Sequence, residues 1–463
     1  MTPHRFLVPI LVMLGMVAAT VASLGVPLLP SVAATDGVSL TAAQWSLTVT
    51  LLVGALAAPV IGRMGDGSRR RATILGAIGI VTTGCVLSAL PLGFAPFIVG
   101  RALQGFGLGL VPVAMATARD VLPANESRST IGLLAITTAA GIGLAYPVAG
   151  LITQVAGLEA AFWFGAVLGA GALALAYIVI PSSSSKARRP LDMVGTALLG
   201  LGLTGLLLVL GEGQSWGWLS GRSIGVVLAS ALILVGWVRW ELRAPHPLVD
   251  VRLLGNRGVR RADLFIFMVG LGIYPLLSLV SRLVQTPAST GYGIGASVLI
   301  AGLALVPFSI GTFVAGRSTT AWLRTTSPDV ASGLGCVVLI VAMITFLLAR
   351  AALWEILITM GIAGLGVGCV FASNPSQVIA EVPGHETGSA MGFNQVARTV
   401  GFAAGSALSA AVLAIYTPAG RSLPTNTGYE RAAEASLVIL GLTLATSVAA
   451  LVGRRRQVLS ELG

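Results

Sequence analysis

The sequence predicts an all-α polytopic membrane protein of fourteen spanning helices, laid out as six, two and six. Three observations predict it. Of 463 residues, 55% are hydrophobic and 10% charged, with a mean hydropathy of +0.92, whereas a soluble domain is roughly a quarter charged. The apolar residues come in runs of about twenty, the length that spans a hydrocarbon core. The basic residues gather on alternate sides of those runs. Backbone groups in lipid must be satisfied internally, which leaves helices or a closed barrel. A barrel would alternate apolar and polar residues over segments of about ten. These runs are continuous and rich in Leu, Ala, Gly and Val.

Taken in order, the spans fall near 7–30, 43–62, 72–92, 95–118, 130–152, 160–180, 193–211, 223–240, 264–284, 294–315, 331–349, 354–377, 389–415 and 435–453. The first follows a short basic start and could imitate a signal peptide. It is too long for a signal core and many spans follow, so we read it as a retained helix. An even number of spans puts both termini on one side. Of the 28 Lys and Arg residues, 21 fall in the termini and even-numbered loops, five in the odd-numbered loops, and Arg101 and Arg398 inside spans. The positive-inside rule therefore places both termini in the cytoplasm of a cell-membrane protein. It also accounts for the net charge of +11 without nucleic acid as a partner. Cys85, Cys336 and Cys369 sit singly in apolar runs, the pattern of small hydrophobes rather than a metal or disulfide framework. No cofactor is expected.

Two polar segments look like linkers, 181–190 (PSSSSKARRP) and the Arg-rich stretch from Trp240 to Ala262. The expected division is an N-terminal bundle over 1–180, a linker with two extra helices over 181–262, and a C-terminal bundle over 263–463. Transporters commonly build from two related halves with the site between them.

Several motifs bear on function. Between the second and third spans lies Gly62-Arg63-Met64-Gly65-Asp66-Gly67-Ser68-Arg69-Arg70-Arg71, a tight turn with one acid and a basic cluster. The fourth span holds Gly100-Arg101-Ala102-Leu103-Gln104-Gly105-Phe106-Gly107; an Arg within a span usually faces a cavity or a partner, and otherwise snorkels to the interface. The fifth runs from Gly132 through Gly141 and Gly143 to Tyr146-Pro147 and Gly150, a bendable helix with a thin face. The thirteenth carries Gly388 to Gly401 with Asn394 and Arg398 four residues apart, on one face.

These motifs resemble those of the major facilitator superfamily, in particular its fourteen-helix drug:proton antiporter (EmrB/QacA-like) branch. The resemblance covers the whole chain in layout. It implies that Gly62, Asp66, Arg70, Arg71 and Arg119 form a conformational latch between two halves. It also implies that the fifth helix resembles the antiporter motif of exporters. Two positions depart from the latch signature, Gly67 and Arg69, so Asp66 needs another partner, with Arg119 or Arg63 as candidates. In that branch the first helix often carries an Asp ahead of a Pro. Here that register gives Ala18, with Thr20, Ser23 and Pro27 following. An embedded carboxylate is the natural proton carrier; Asp263 is the best remaining candidate, against the simpler reading that it pairs with Arg260 or Arg261.

Candidates for the central cavity, for substrate or coupling, are Ser23, Arg101, Gln104, Tyr146, Pro147, Asp263, Tyr274, Asn374, Asn394 and Arg398, with Ser278, Gln377 and Gln395 alongside. A set this sparse in polar groups suits a lipophilic molecule better than a sugar. The expected function is secondary export of a small lipophilic or drug-like compound by alternating access, with protons as a possible coupling partner, by a monomer among membrane lipids. A lipid, acyl-chain or metabolite carrier is the alternative. An enzyme would need converging His, Asp or Cys groups, and His4, His246 and His385 are scattered.

Overall fold

The computed structural model describes residues 4–24, 28–38, 40–181, 190–418 and 423–462. Most of the first expected linker therefore lies outside the described residues. The described chain is helical throughout: α1 (His4–Ser23), α2 (Leu29–Asp36), α3 (Leu40–Gly65), α4 (Arg70–Ala89), α5 (Phe94–Gly105) and α6 (Leu110–Val121). Then follow α7 (Ala124–Ala156), α8 (Leu158–Val179), α9 (Met193–Trp216), α10 (Gly221–Glu241), α11 (Arg257–Gln285) and α12 (Val298–Leu303). The last are α13 (Val306–Trp322), α14 (Pro328–Leu348), α15 (Leu353–Ala380), α16 (Thr387–Ile415) and α17 (Asn426–Leu462).

Among the described residues, 12 helical segments are long and apolar enough to cross a membrane. Two of them join neighbours: α5 runs into α6 as Phe94–Val121, and α12 into α13 as Leu299–Trp322. Shorter apolar stretches lie in α1 (Phe6–Val21) and α7 (Pro147–Ala156).

Local chemistry explains where the helices start and stop. Asp192 caps α9 by accepting from the Gly195 N–H at 2.9 Å, and its other oxygen accepts from Trp240 Nε1 at 2.7 Å. One carboxylate thus starts α9 and ties it to the end of α10. Asp192→Ala is expected to cost about 1 kcal/mol, the usual worth of such a cap, seen as a lower thermal midpoint in detergent. Glu355 accepts from the N–H groups of Ala351 and Ala352 at 2.7 and 3.1 Å, which fixes it as a cap of α15.

Three spans are shortened or broken relative to the sequence expectation. The first span ends at Ser23 rather than near 30, and Pro30 opens the separate short helix α2, a place where its missing N–H is no loss. The fourth span is interrupted by a 3-10 turn at Phe106–Gly109, within a run of closely spaced glycines. The tenth is broken between α12 and α13, where Pro307 restarts the helix. It then continues past Arg317 to Trp322, because an arginine near a helix end keeps its charge in water while its stem stays apolar.

The helices pack in two groups. In one, α1 lies on α7 and α8, and α4 on α5 and α8. In the other, α11 lies on α16 and α17, and α14 and α13 on α15. The groups meet where α3 contacts α16 and where α7 contacts α13 and α15. The α9–α10 hairpin lies across the first seam, with α9 touching both α3 and α16. Leu199, Leu203, Trp237, Leu248 and Val396 form a buried cluster there, and Trp237 stacks on Phe393 of α16 at 6.2 Å.

Candidate functional site

Two features join the helix groups, a polar closure at the arginine-rich end and a narrow cavity beneath it. The closure begins with the approach of α3 to α16. A Cβ on Gly62 would lie 2.3 Å from the Gly388 carbonyl oxygen, and one on Gly388 2.5 Å from that of Gly62. Only glycine at both positions permits this contact. It brings the residue after α3, Asp66, to the start of α16. The carboxylate accepts from the N–H of Gly388 at 2.7 Å and of Ser389 at 2.8 Å. The first N–H groups of a helix have no partner of their own, and the helix dipole favours a negative charge there.

Asp66 is 3% exposed. Burial pushes its carboxyl up to about 7; the two N–H groups and Arg63 oppose this, and Glu386 adds to it. The expected arginine partners are elsewhere. Arg63 pairs with Glu386 at 2.7 Å, the two side chains 5% and 12% exposed. Arg119 donates to the Thr387 hydroxyl at 2.6 Å and to the Val382 carbonyl at 2.9 Å. Asp66 is thus satisfied by backbone rather than by a cation, which frees both arginines for other residues of the opposite group.

Arg70 and Arg71 make no such crossing among the described contacts. Arg70 donates to the Gly65 carbonyl at 2.8 Å and pairs with Asp120 at the end of α6. Arg71 donates to the Tyr177 carbonyl at 2.7 Å and lies over its ring. Both brace the turn within its own helix group. Sequence reasoning missed Glu386 and Thr387. A charged and a hydroxyl residue just ahead of the Gly388 motif were the available signal.

The cavity is lined by α6, α7, α11, α15 and α16. Its polar groups are Asn374, Asn394, Gln395 and Arg398, among apolar side chains that include Met115, Ile266 and Phe371. Asn374 donates to the Ala262 carbonyl at 2.9 Å. Asn394 donates to Asp263 at 2.8 Å. Asp263 is 6% exposed and meets neither Arg260 nor Arg261 in an ion pair. Arg398 donates to Gln395 and lies over the Phe371 ring at 4.7 Å. Tyr274 packs on Phe402 at 5.5 Å.

Arg101 and Gln104 are held apart from this cavity. Arg101 is fully buried; it donates to the carbonyls of Ser46 and Val21, each at 3.3 Å, and to Gln104. Gln104 in turn donates to Ser88 at 3.1 Å and to the Gly84 carbonyl at 3.2 Å. The pair stitches α1, α3, α4 and α5 together, which accounts for a cation in the span without a ligand. Gln377 donates to Asp329 at 3.0 Å, another contact between helices. Pro147 lies half-buried inside α7. The side chains of Ser23 and Tyr146 lie outside the described residues.

A model of the Major Facilitator Superfamily matches residues 11–406. The chain belongs to this superfamily. It is similar to the probable actinorhodin transporter of Streptomyces coelicolor, 29% identical over 82% of this chain and 67% of that protein. It is similar to the tetracenomycin C resistance and export protein of Streptomyces glaucescens, 26% identical over 81% and 70%. An uncharacterized MFS-type transporter of Mycobacterium tuberculosis is 28% identical over 66% of this chain; the match spans 44% of that longer protein. The fold resembles that of the human organic anion transporter MFSD10, with a TM-score of 0.70 at 18% identity over 96% of this chain and 100% of that one. The chain is therefore a multi-pass member of this superfamily related to multidrug-efflux proteins; the similar curated proteins carry transport, export or resistance names.

Proposed function

We propose that this carrier exports a small lipophilic compound by alternating access, with the closure at Asp66 acting as its inner gate. In this reading fourteen helices cross the membrane as six, two and six, α1 and α7 included, and the α9–α10 hairpin is the extra pair. Both termini and the arginine-rich end lie in the cytoplasm. The halves 1–180 and 263–463 rock about the cavity, with residues 181–262 bridging them. One observation carries the proposal. Asp66, Arg63 and Arg119 of the first group all engage residues 382–389 of the second, directly beside a cavity lined from both groups. Such contacts can form only when that end is shut. The sparse polar lining suits a lipophilic cargo, in keeping with the exported compounds named for the Streptomyces relatives.

The test is flux. Proteoliposomes would be loaded with lipophilic fluorescent compounds graded in polarity, with a sugar and an amino acid as controls. We expect protein-dependent release of the lipophilic members alone. Release no faster than from empty liposomes, across the panel, would defeat the proposal. In the same assay Asp263→Asn is expected to abolish proton-gradient dependence if Asp263 carries the coupling proton. Unchanged gradient dependence would remove that role.

A further inference from the structure

The two buried arginines of the spans are solvated differently. Arg101 has backbone carbonyls of two helices and Gln104 as acceptors. Arg398 has a single protein acceptor among the described residues, Gln395, and the face of Phe371. It is 8% exposed and lines the cavity. Among the described residues it makes no ion pair, and Asp263 of the neighbouring α11 is bonded to Asn394 instead. The other residues lining the cavity, on α6, α7, α11, α15 and α16, carry no charge. A guanidinium has five N–H donors and no acceptor. Most of those donors therefore face the cavity, where water can hold them only while the cavity is wet.

A lipophilic cargo expels that water. A neutral molecule then leaves the cation stripped of partners, and a cation adds like-charge repulsion. An anion replaces the lost bonds with charge-assisted ones. Next to Arg398 the aromatic rings continue as a lane: Phe371 stacks with Phe402 at 6.5 Å, and Phe402 meets Tyr274 at 5.5 Å. The lane advances along α16 and α11 away from the latch end. Flat ring faces beside a bidentate donor fit a flat ring bearing an acidic group.

We infer that the cavity binds a planar aromatic anion, with Arg398 as the charge-recognising residue and Phe371, backed by Phe402 and Tyr274, as the ring face that lines it. This rests on the export reading and names its substrate class. It also removes the need for a carboxylate in the first helix, where Ala18 stands. An anion leaving a negative interior is driven by its own charge. At 100 mV the outward gradient supported is about 50-fold, from the ~2.3 kcal/mol that potential supplies per charge.

The probes are three compounds on one ring system: anthracenesulfonate, anthracenemethanol and anthracenemethylammonium. Binding to the full chain in nanodiscs is measured first. Wild type is expected to bind the sulfonate roughly ten- to a hundredfold tighter than the other two. Arg398→Gln should erase that preference, and Arg398→Lys should keep part of it, which separates lost recognition from a misfolded variant. A preference for the alcohol or the amine, equal binding of all three, binding of none, or a preference that survives Arg398→Gln would each overturn the inference.

Vesicle efflux is measured next, under a potassium diffusion potential. Efflux of the sulfonate should accelerate when the lumen is negative and slow when it is positive, with the pH equal on both sides. Efflux that follows pH and ignores potential overturns the driving force assigned here. Sulfonate that binds but never crosses would sink the export reading while leaving the anion site intact.

Discussion

Glu386→Gln is expected to shift the latch equilibrium toward the open form by at least a hundredfold. Arg63 and Glu386 meet at 2.7 Å with little exposure on either side. Removing one member of such a pair strands the other charge away from water, which costs about 3–5 kcal/mol. The helices remain inserted, because both residues lie at the end of the bundle and neither builds a helix core. The penalty therefore falls on the closed arrangement, and the latch end should become accessible to a thiol reagent. Transport should fall by an order of magnitude or more. The reversed pair, Arg63→Glu with Glu386→Arg, should recover part of both losses, with a coupling energy above about 1 kcal/mol. Additive losses in the double variant would show that the two residues act independently.

Asp66→Ala should act on the same equilibrium by a different route. The N–H groups of Gly388 and Ser389 lose their acceptor, and no other side chain at this crowded contact replaces it. Each unsatisfied buried donor costs about 1–3 kcal/mol, so the closed form should lose about 2–6 kcal/mol for the two, and transport at least tenfold. Equal transport by variant and wild type, at equal insertion, would remove Asp66 from the gate.

In the proposed gate, Asp66 should also confer sensitivity to pH. Its carboxyl stands at about 7 when shut in, against 3.8 for the ordinary group. The closed form thus holds the proton more tightly than an open form in which Asp66 is hydrated. Its advantage is fully present below about pH 4 and is lost as the pH at that end rises through about 7. Asp66→Asn, which does not titrate, should close to an extent independent of pH over that interval. A pH dependence that persists in the asparagine variant would assign it to another group.

The helices were legible because lipid leaves the backbone few choices. Runs of about twenty apolar residues and an uneven arginine distribution carry that information along the chain. What the sequence obscured lies between segments. Asp66 is held by the backbone of residues 322 and 323 positions away, and a backbone donor leaves no trace in residue identity. The same holds for Arg101, whose carbonyl acceptors at Ser46 and Val21 could be on any helix. Asn374, Asn394 and Arg398, polar enough in a span to be singled out from sequence, lie together on the cavity wall. Arg70 and Arg71 were grouped with the latch by their neighbours in sequence, yet side chains one turn from Asp66 face α6 and α8. The break at Pro307 shows the same limit. A hydropathy window passes through it, but the backbone cannot.

The measurement that bears most directly on the gate is a reversible cross-link across it. The native cysteines Cys85, Cys336 and Cys369 are all buried, so introduced thiols can be labelled selectively. Met64→Cys and His385→Cys place thiols at exposed positions on the two sides of the closure. A cleavable linker joining them should stop transport in proteoliposomes, and cleaving it should restore the original rate. Transport at the full rate with the linker in place would contradict a gate that opens at this end.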